Sequence, residues 1–225
     1  MTKFSLHKEG LLTIGFTLAC TAVAFFFVPA LGLCGICVAA LVTYFFRDPQ
    51  RAIAISKDFV LSPADGLICK IENALPPQSS ELVEEMQKIS VYLSPLNVHV
   101  NRIPVDGIVR KLHYVPGKNL RADYDSSEDE NERQESTIEM ADGRNVVVVQ
   151  QTGFLARRVV CDLRKDQQVS AGKRFGIIKF GSRVTVYIPK DMPLLVSEGQ
   201  TVVAGETILA LLSETASLVT ERFLD

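Results

Sequence analysis

The chain has 225 residues, 47% of them hydrophobic, with 24 Lys plus Arg against 26 Asp plus Glu and a net charge of −2. That length suits one compact domain plus an anchor, or two very small domains, and the near-neutral balance excludes the basic footprint of a nucleic-acid binder. Five cysteines, an odd number, exclude a complete disulfide framework and fit a reducing compartment.

Residues 11–46 carry no charge. A single straight helix over them would run about 54 Å, against a hydrocarbon core of about 30 Å. Pro29, Gly32 and Gly35 interrupt the run near its middle, so the expected form is a membrane-anchoring helical hairpin, with helices near 11–28 and 31–46. Lys3 and Lys8 precede the run, Arg47 and Arg51 follow it, and the turn is uncharged. The positive-inside tendency therefore places both ends in the cytoplasm, against the cell (inner) membrane. A cleaved signal peptide would be shorter and would end in a small-residue site. Cys34 and Cys37 form a CxxC, but inside this stretch they read as small apolar core residues.

From residue 47 onward the pattern changes, dividing the chain into 1–46 and 47–225. Short apolar runs alternate with turn residues at 67–72, 89–93, 98–103, 108–114, 145–151, 176–180, 184–188, 201–203 and 208–212. This spacing predicts a mainly β domain, a compact sandwich or barrel. Residues 80–88 read as one short helix, and 155–164 are ambiguous. Two strand openings have a recurring look: Pro63-Ala64-Asp65-Gly66 and Pro104-Val105-Asp106-Gly107. The glycine spacing from Val196 to Ile208 resembles lipoyl-type hairpins, a likeness of fold only. The acidic stretch 123–135 reads as a solvated loop.

Two segments carry chemistry. In the first, apolar runs flank Gly181-Ser182. Glycine leaves its carbonyl open to a neighbouring nucleophile, and a serine hydroxyl attacking it shifts the acyl group from nitrogen to oxygen. The ester can eliminate and hydrolyse, leaving a pyruvoyl end. Alone, a Gly-Ser pair means no more than a β-turn. In the second segment, 94–104, a strand would put Asn97, His99 and Asn101 on one face. Of the three histidines, His7 lies in the N-terminal tail and His113 follows a strand. His99 is therefore the candidate general acid/base, since imidazole titrates near neutral pH.

Together these stretches resemble the phosphatidylserine decarboxylase family in its short prokaryotic form. The resemblance rests on Leu61-Ser62-Pro63-Ala64-Asp65-Gly66, on Tyr92-Leu93-Ser94-Pro95 followed by His99 and Pro104-Val105-Asp106-Gly107, on Tyr114-Val115-Pro116-Gly117, and on Phe180-Gly181-Ser182. It implies self-cleavage between Gly181 and Ser182 into a β chain 1–181 and an α chain 182–225, which stay together as a heterodimer. It also implies that Ser182 becomes a covalent pyruvoyl cofactor forming a Schiff base with the substrate amine, with no metal and no pyridoxal phosphate. Asp65 matches the aspartate of self-processing, and His99 matches the histidine linked to decarboxylation. The longer bacterial form has a second histidine where this chain has Arg102, which is always charged and a poor base. The expected reading is that His99 serves both steps, with Arg102, Asn97 and Asn101 contacting a phospholipid substrate. A higher homo-oligomer is compatible with this reading. The alternatives are an archaetidylserine decarboxylase, a membrane-tethered lipoyl-like adaptor without enzymatic activity, and a pyruvoyl enzyme acting on a soluble amino acid, for which a membrane hairpin would serve no purpose.

Overall fold

The computed structural model describes residues 5–55, 58–117, 130–153, 158–179, 182–212 and 221–224. It divides into two compact units, Met1–Gln50 and Arg51–Asp225.

The first unit is a helical hairpin of α1 (Leu11–Phe27) and α2 (Pro29–Phe45). Val28 between them is extended, and Pro29 opens α2, where its missing N–H costs nothing. Small residues let the helices approach: a Cβ on Gly32 would lie 2.5 Å from Phe25 Cβ, and one on Gly35 2.7 Å from Thr21 Oγ1. The ends are tied by the Leu6–Arg47 bridge and by His7 N–H donating to the Phe46 carbonyl at 2.9 Å. Each helix has 17 residues, about 26 Å of length. Large apolar side chains point outward, with Leu12 89% and Phe26 85% exposed. Cys20, Cys34 and Cys37 are exposed on the same helices; the apolar character expected of them holds, but burial in a core does not.

The second unit is mainly β. Its strands are β1 (Ala52–Ile55), β2 (Phe59–Leu61), β3 (Gly66–Ala74), β4 (Met86–Leu93), β5 (Val100–Arg102), β6 (Gly107–Val115), β7 (Arg133–Glu139), β8 (Asn145–Thr152), β9 (Arg158–Cys161), β10 (Gln168–Val169), β11 (Arg174–Lys179), β12 (Ser182–Ile188), β13 (Thr201–Val202), β14 (Ile208–Leu211) and β15 (Glu221–Leu224). Every apolar run read from the sequence contains a strand. The short helix expected at 80–88 does not form. A single 3-10 turn, Gln78–Ser80, is followed by strand β4, because Met86, Lys88, Ile89, Ser90 and Val91 bury both faces of a strand between two neighbours.

An eight-stranded sheet, in the order β10-β6-β7-β8-β12-β4-β3-β13, curls around an apolar interior. A three-stranded sheet β5-β11-β9 and the pair β14-β2 contribute Val60, Phe175, Ile178 and Leu209 to that interior, and β1 pairs with β15. Residues 193–195 run antiparallel to 209–211, with Leu194 bridging Ala210 and Leu195 N–H donating to the Leu209 carbonyl at 2.9 Å. Strand β13 pairs with β3, and β14 with β2.

The recurring sequence pieces mark an internal two-fold repeat. Asp65 Oδ1 accepts from Ala204 N–H at 2.8 Å, and Asp106 Oδ1 accepts from Ala171 N–H at 2.7 Å. Val202 pairs with Gly66 as Val169 pairs with Gly107. Strand β3 is irregular between Ile68 and Lys70, and β6 between Val109 and Lys111. The halves interlock: Leu61 N–H donates to the Pro104 carbonyl and Arg102 N–H to the Pro63 carbonyl, both at 2.9 Å. Strands β4 and β7 correspond, as do β12 and β8, so the large sheet reads alike from either edge. The two-fold passes where Val186 of β12 pairs with Val148 of β8.

Glu135, which closes the acidic stretch, is not in a solvated loop. It is 3% exposed on β7, where Arg133 Nε lies 2.7 Å from it and the Ser79 hydroxyl donates to it. Residues 118–129 lie outside the described residues.

Candidate active site

Ser182 is the first residue of β12, a β-branched run flanked on one side by β8 and on the other by β4. It pairs with Thr152 and with Leu93. Alternation along the strand puts it on the face of Val184, Val186 and Ile188, which is the interior. Ser182 is fully buried, and its Oγ has no hydrogen-bond partner among the described residues. A buried hydroxyl left unpaired costs roughly 1–3 kcal/mol. Phe180 and Gly181 lie outside the described residues. Strand β11 belongs to the three-stranded sheet and β12 to the eight-stranded sheet, so the chain crosses between sheets from Lys179 to Ser182.

His99 enters at the same end of β11, where its carbonyl accepts from Ile178 N–H at 3.3 Å. The strand expected over 98–103 is shorter, Val100–Arg102, and residues 95–97 form a turn. That turn brings the Asn97 carbonyl to 2.9 Å from His99 Nδ1. A carbonyl oxygen only accepts, so Nδ1 carries the proton, and Nε2 is the basic atom of the neutral ring. His99 is fully buried.

Asp65 sits in the turn before β3. Arg51 Nη2 lies 2.5 Å from Oδ2, and Ala204 N–H donates to Oδ1. Asn97 Nδ2 reaches the Asp65 carbonyl at 3.5 Å, so Asp65, Asn97 and His99 form one chain of contacts. Arg102 takes another direction: it is 2% exposed, and its Nη1 donates to the Gly172 carbonyl at 2.8 Å. Asn101 is fully buried, and its Oδ1 accepts from Gln150 Nε2 at 2.8 Å.

Sequence reasoning passed over Gln150 and Thr152, and it read Arg51 as a charge beside the membrane and a candidate for the lipid phosphate, not as the partner of Asp65. Gln150 had a signal, since a polar pair closes the apolar run Val146 to Val149. The Arg51–Asp65 contact had none, because it is set by the turn at Asp65. Among the described residues no group of three or more His, Cys, Asp or Glu side chains is placed to hold a metal ion. A cleft of about 550 Å³, lined by Lys88, His113, Arg133 and Glu135, opens on the other face of the sheet, away from Ser182.

The sequence matches the phosphatidylserine decarboxylase family over residues 38–210. It is 50% identical over 212 residues to a phosphatidylserine decarboxylase proenzyme of Wolbachia sp. subsp. Brugia malayi (strain TRS), covering 93% of this chain and 92% of the relative. It is 47% identical over 206 residues to the proenzyme of Rickettsia rickettsii (strain Sheila Smith), covering 91% and 89%. To that of Wolbachia pipientis wMel it is 46% identical over 212 residues, covering 93% and 92%. With similarity of this extent spanning both units, the chain belongs to the phosphatidylserine decarboxylase family.

Proposed function

We propose that the chain decarboxylates phosphatidylserine to phosphatidylethanolamine with a pyruvoyl group made from its own Ser182. Cleavage between Gly181 and Ser182 yields chains 1–181 and 182–225. The observation that carries this reading is the Ser182 hydroxyl, buried at the head of a central strand with no hydrogen-bond partner among the described residues. A side chain consumed in maturation needs no lasting hydrogen bond, so the residue fits the group. The relatives' designation as proenzymes supports the cleavage.

His99 Nε2 takes the proton of the Ser182 hydroxyl during cleavage and later returns a proton to the substrate carbon. Asp65, held by Arg51 and the Ala204 N–H, fixes the turn on which Asn97 orients the imidazole. Once formed, the pyruvoyl end supplies an electron-accepting ketone for the substrate amine, the role other enzymes give to a bound cofactor. Strand β12 stays hydrogen-bonded to β4 and β8 on either side, which holds the two chains together after the cut. The apolar hairpin, including the 20-residue apolar segment Lys8–Phe27, keeps this unit at the cytoplasmic surface of the membrane where its lipid substrate lies. Tethering raises the effective concentration of both.

The test is a denaturing gel with a carbon dioxide assay on phosphatidylserine micelles. Wild type gives a large and a small fragment, the small one without a free amine by intact mass. Ser182→Ala stays one band and is inactive, and His99→Ala loses turnover. Carbon dioxide release by uncut Ser182→Ala would overturn the proposal.

A further inference from the structure

The interior of the curled sheet is largely apolar, and among the described residues one polar side-chain pair bridges the two sheets within it. Gln150 of β8 and Asn101 of β5 are both fully buried and meet through Gln150 Nε2 donating to Asn101 Oδ1 at 2.8 Å. Asn101 Nδ2 and Gln150 Oε1 have no partner among the described residues. Exchanging nitrogen and oxygen in both amides reverses the bond and still leaves one N–H donor and one carbonyl oxygen. Gly176, opposite Asn101 on β11, makes the room, since a Cβ there would lie 3.0 Å from Gln150 Nε2.

The internal repeat shows that the fold does not require these polar groups. Asn101 pairs with Gly176 as Val60 pairs with Ala210 in the other half. Gln150 pairs with Gln134 of β7 as Ile188 pairs with Gln87 of β4. Val60 and Ile188 are fully buried in the apolar core. The amides therefore replace a Val and an Ile in one half only, the half next to the candidate site. Thr152, two residues from Gln150 on the same face, lies opposite Ser182, and Asn101 is two residues along from His99.

We propose that the Asn101–Gln150 pair receives the serine head group of the substrate. The spare amide N–H donates to the carboxylate that is lost, and the spare amide oxygen accepts from the amine on the same carbon. This rests on the function proposed above and deepens it. In the reaction the bond between the carboxylate and Cα breaks, its electron pair passes into the conjugated acceptor, carbon dioxide leaves uncharged, and a proton returns to Cα. The carboxylate thus loses its charge on the way to the transition state. A cationic clamp would hold the ground state much more tightly than the transition state, whereas a neutral amide orients the group with a smaller penalty. The product lacks the carboxylate and leaves the amide N–H unpaired again, which favours its release.

The test uses the full chain in detergent micelles. Asn101→Asp keeps an oxygen for Gln150 Nε2 but turns the spare donor into a second oxygen; Gln150→Leu removes the spare acceptor. Cleavage is read on a denaturing gel. Lipid captured by the small chain under cyanoborohydride is read by intact mass, with phosphatidylserine or phosphatidylethanolamine supplied. We expect both variants to be cut, and the preference for capturing the serine lipid to fall about 10- to 100-fold, with kcat/KM falling in parallel. Cut variants whose preference stays within about twofold of wild type overturn the assignment. So do variants that remain uncut, because the pair then serves maturation and not the head group. Wild type that is uncut or captures neither lipid overturns the functional reading itself.

Discussion

Gly176→Ala tests the close approach of the small sheet at the site. An ideal Cβ at Gly176 lies 2.2 Å from the Val160 carbonyl oxygen and 3.0 Å from Gln150 Nε2. The oxygen belongs to β9, whose Val160 and Cys161 pair with Ile177 and Gly176, so it cannot turn away without parting the two strands. It must retreat by about 0.8 Å to reach the shortest distance that real Cβ contacts tolerate. Overpacking of this kind costs about 1–3 kcal/mol, and one weakened ladder hydrogen bond adds about 1 kcal/mol. A total of about 2–4 kcal/mol corresponds to a fall in Tm of roughly 5–15 °C for a domain of this size. Circular dichroism melts of wild type and variant, in one detergent at one scan rate, measure it. Because Gln150 must also yield by a few tenths of an ångström, decarboxylation by the folded, cut variant should fall as well. A Tm within about 1 °C of wild type would refute the contact between β11, β9 and Gln150.

Two further outcomes follow from the repeat and from a surface ion pair. Asp106→Ala should lower Tm by a few degrees, through loss of about 1 kcal/mol of hydrogen bonding, yet leave cleavage intact. Asp65→Ala, which also removes the Arg51 ion pair, should stop cleavage on a denaturing gel; normal cutting by this variant, or none by Asp106→Ala, would remove the distinction between the two aspartates. At Glu72 burial pulls the carboxyl pKa upward, but hydrogen bonds from Lys88 and Lys70 and their charges more than offset it, so it lies below its usual value. A lowered carboxylate stabilises the fold above its unfolded pKa, about 4.3, and loses that contribution as pH falls through the folded value. Glu72→Gln should therefore melt below wild type at about pH 7 and level with it near pH 3; a gap that does not change with pH would contradict this.

The strands and the hairpin were legible because their signals are local. Apolar runs such as 184–188 and 145–151 are short and rich in Val, as suits strands buried on both faces, and Pro29 suits the first turn of a helix, so sequence separates these elements without a partner in view. The error at 80–88 has the opposite cause. Glu81, Leu82, Glu84, Glu85, Met86, Gln87 and Lys88 favour a helix locally, and pairing of Gln87 and Lys88 with two neighbouring strands overrides that preference. The catalytic candidates were legible to the same degree: Gly181-Ser182 and His99 are rare chemistry in recognisable settings, whereas Arg51 and Gln150 act through partners far along the chain.

What the sequence by itself determined is the set of elements, their apolar faces, the two Pro-x-Asp-Gly openings and the family. Each of these depends on residues close in the chain or on similarity along it. Tertiary structure alone decided that the two openings are halves of one interlocked repeat, that Asp65 and Asp106 both hold an alanine N–H, and that Asn101 and Gln150 meet where the other half has Val60 and Ile188. Those facts depend on which strands lie side by side and in what register, and register is fixed by packing of the whole interior.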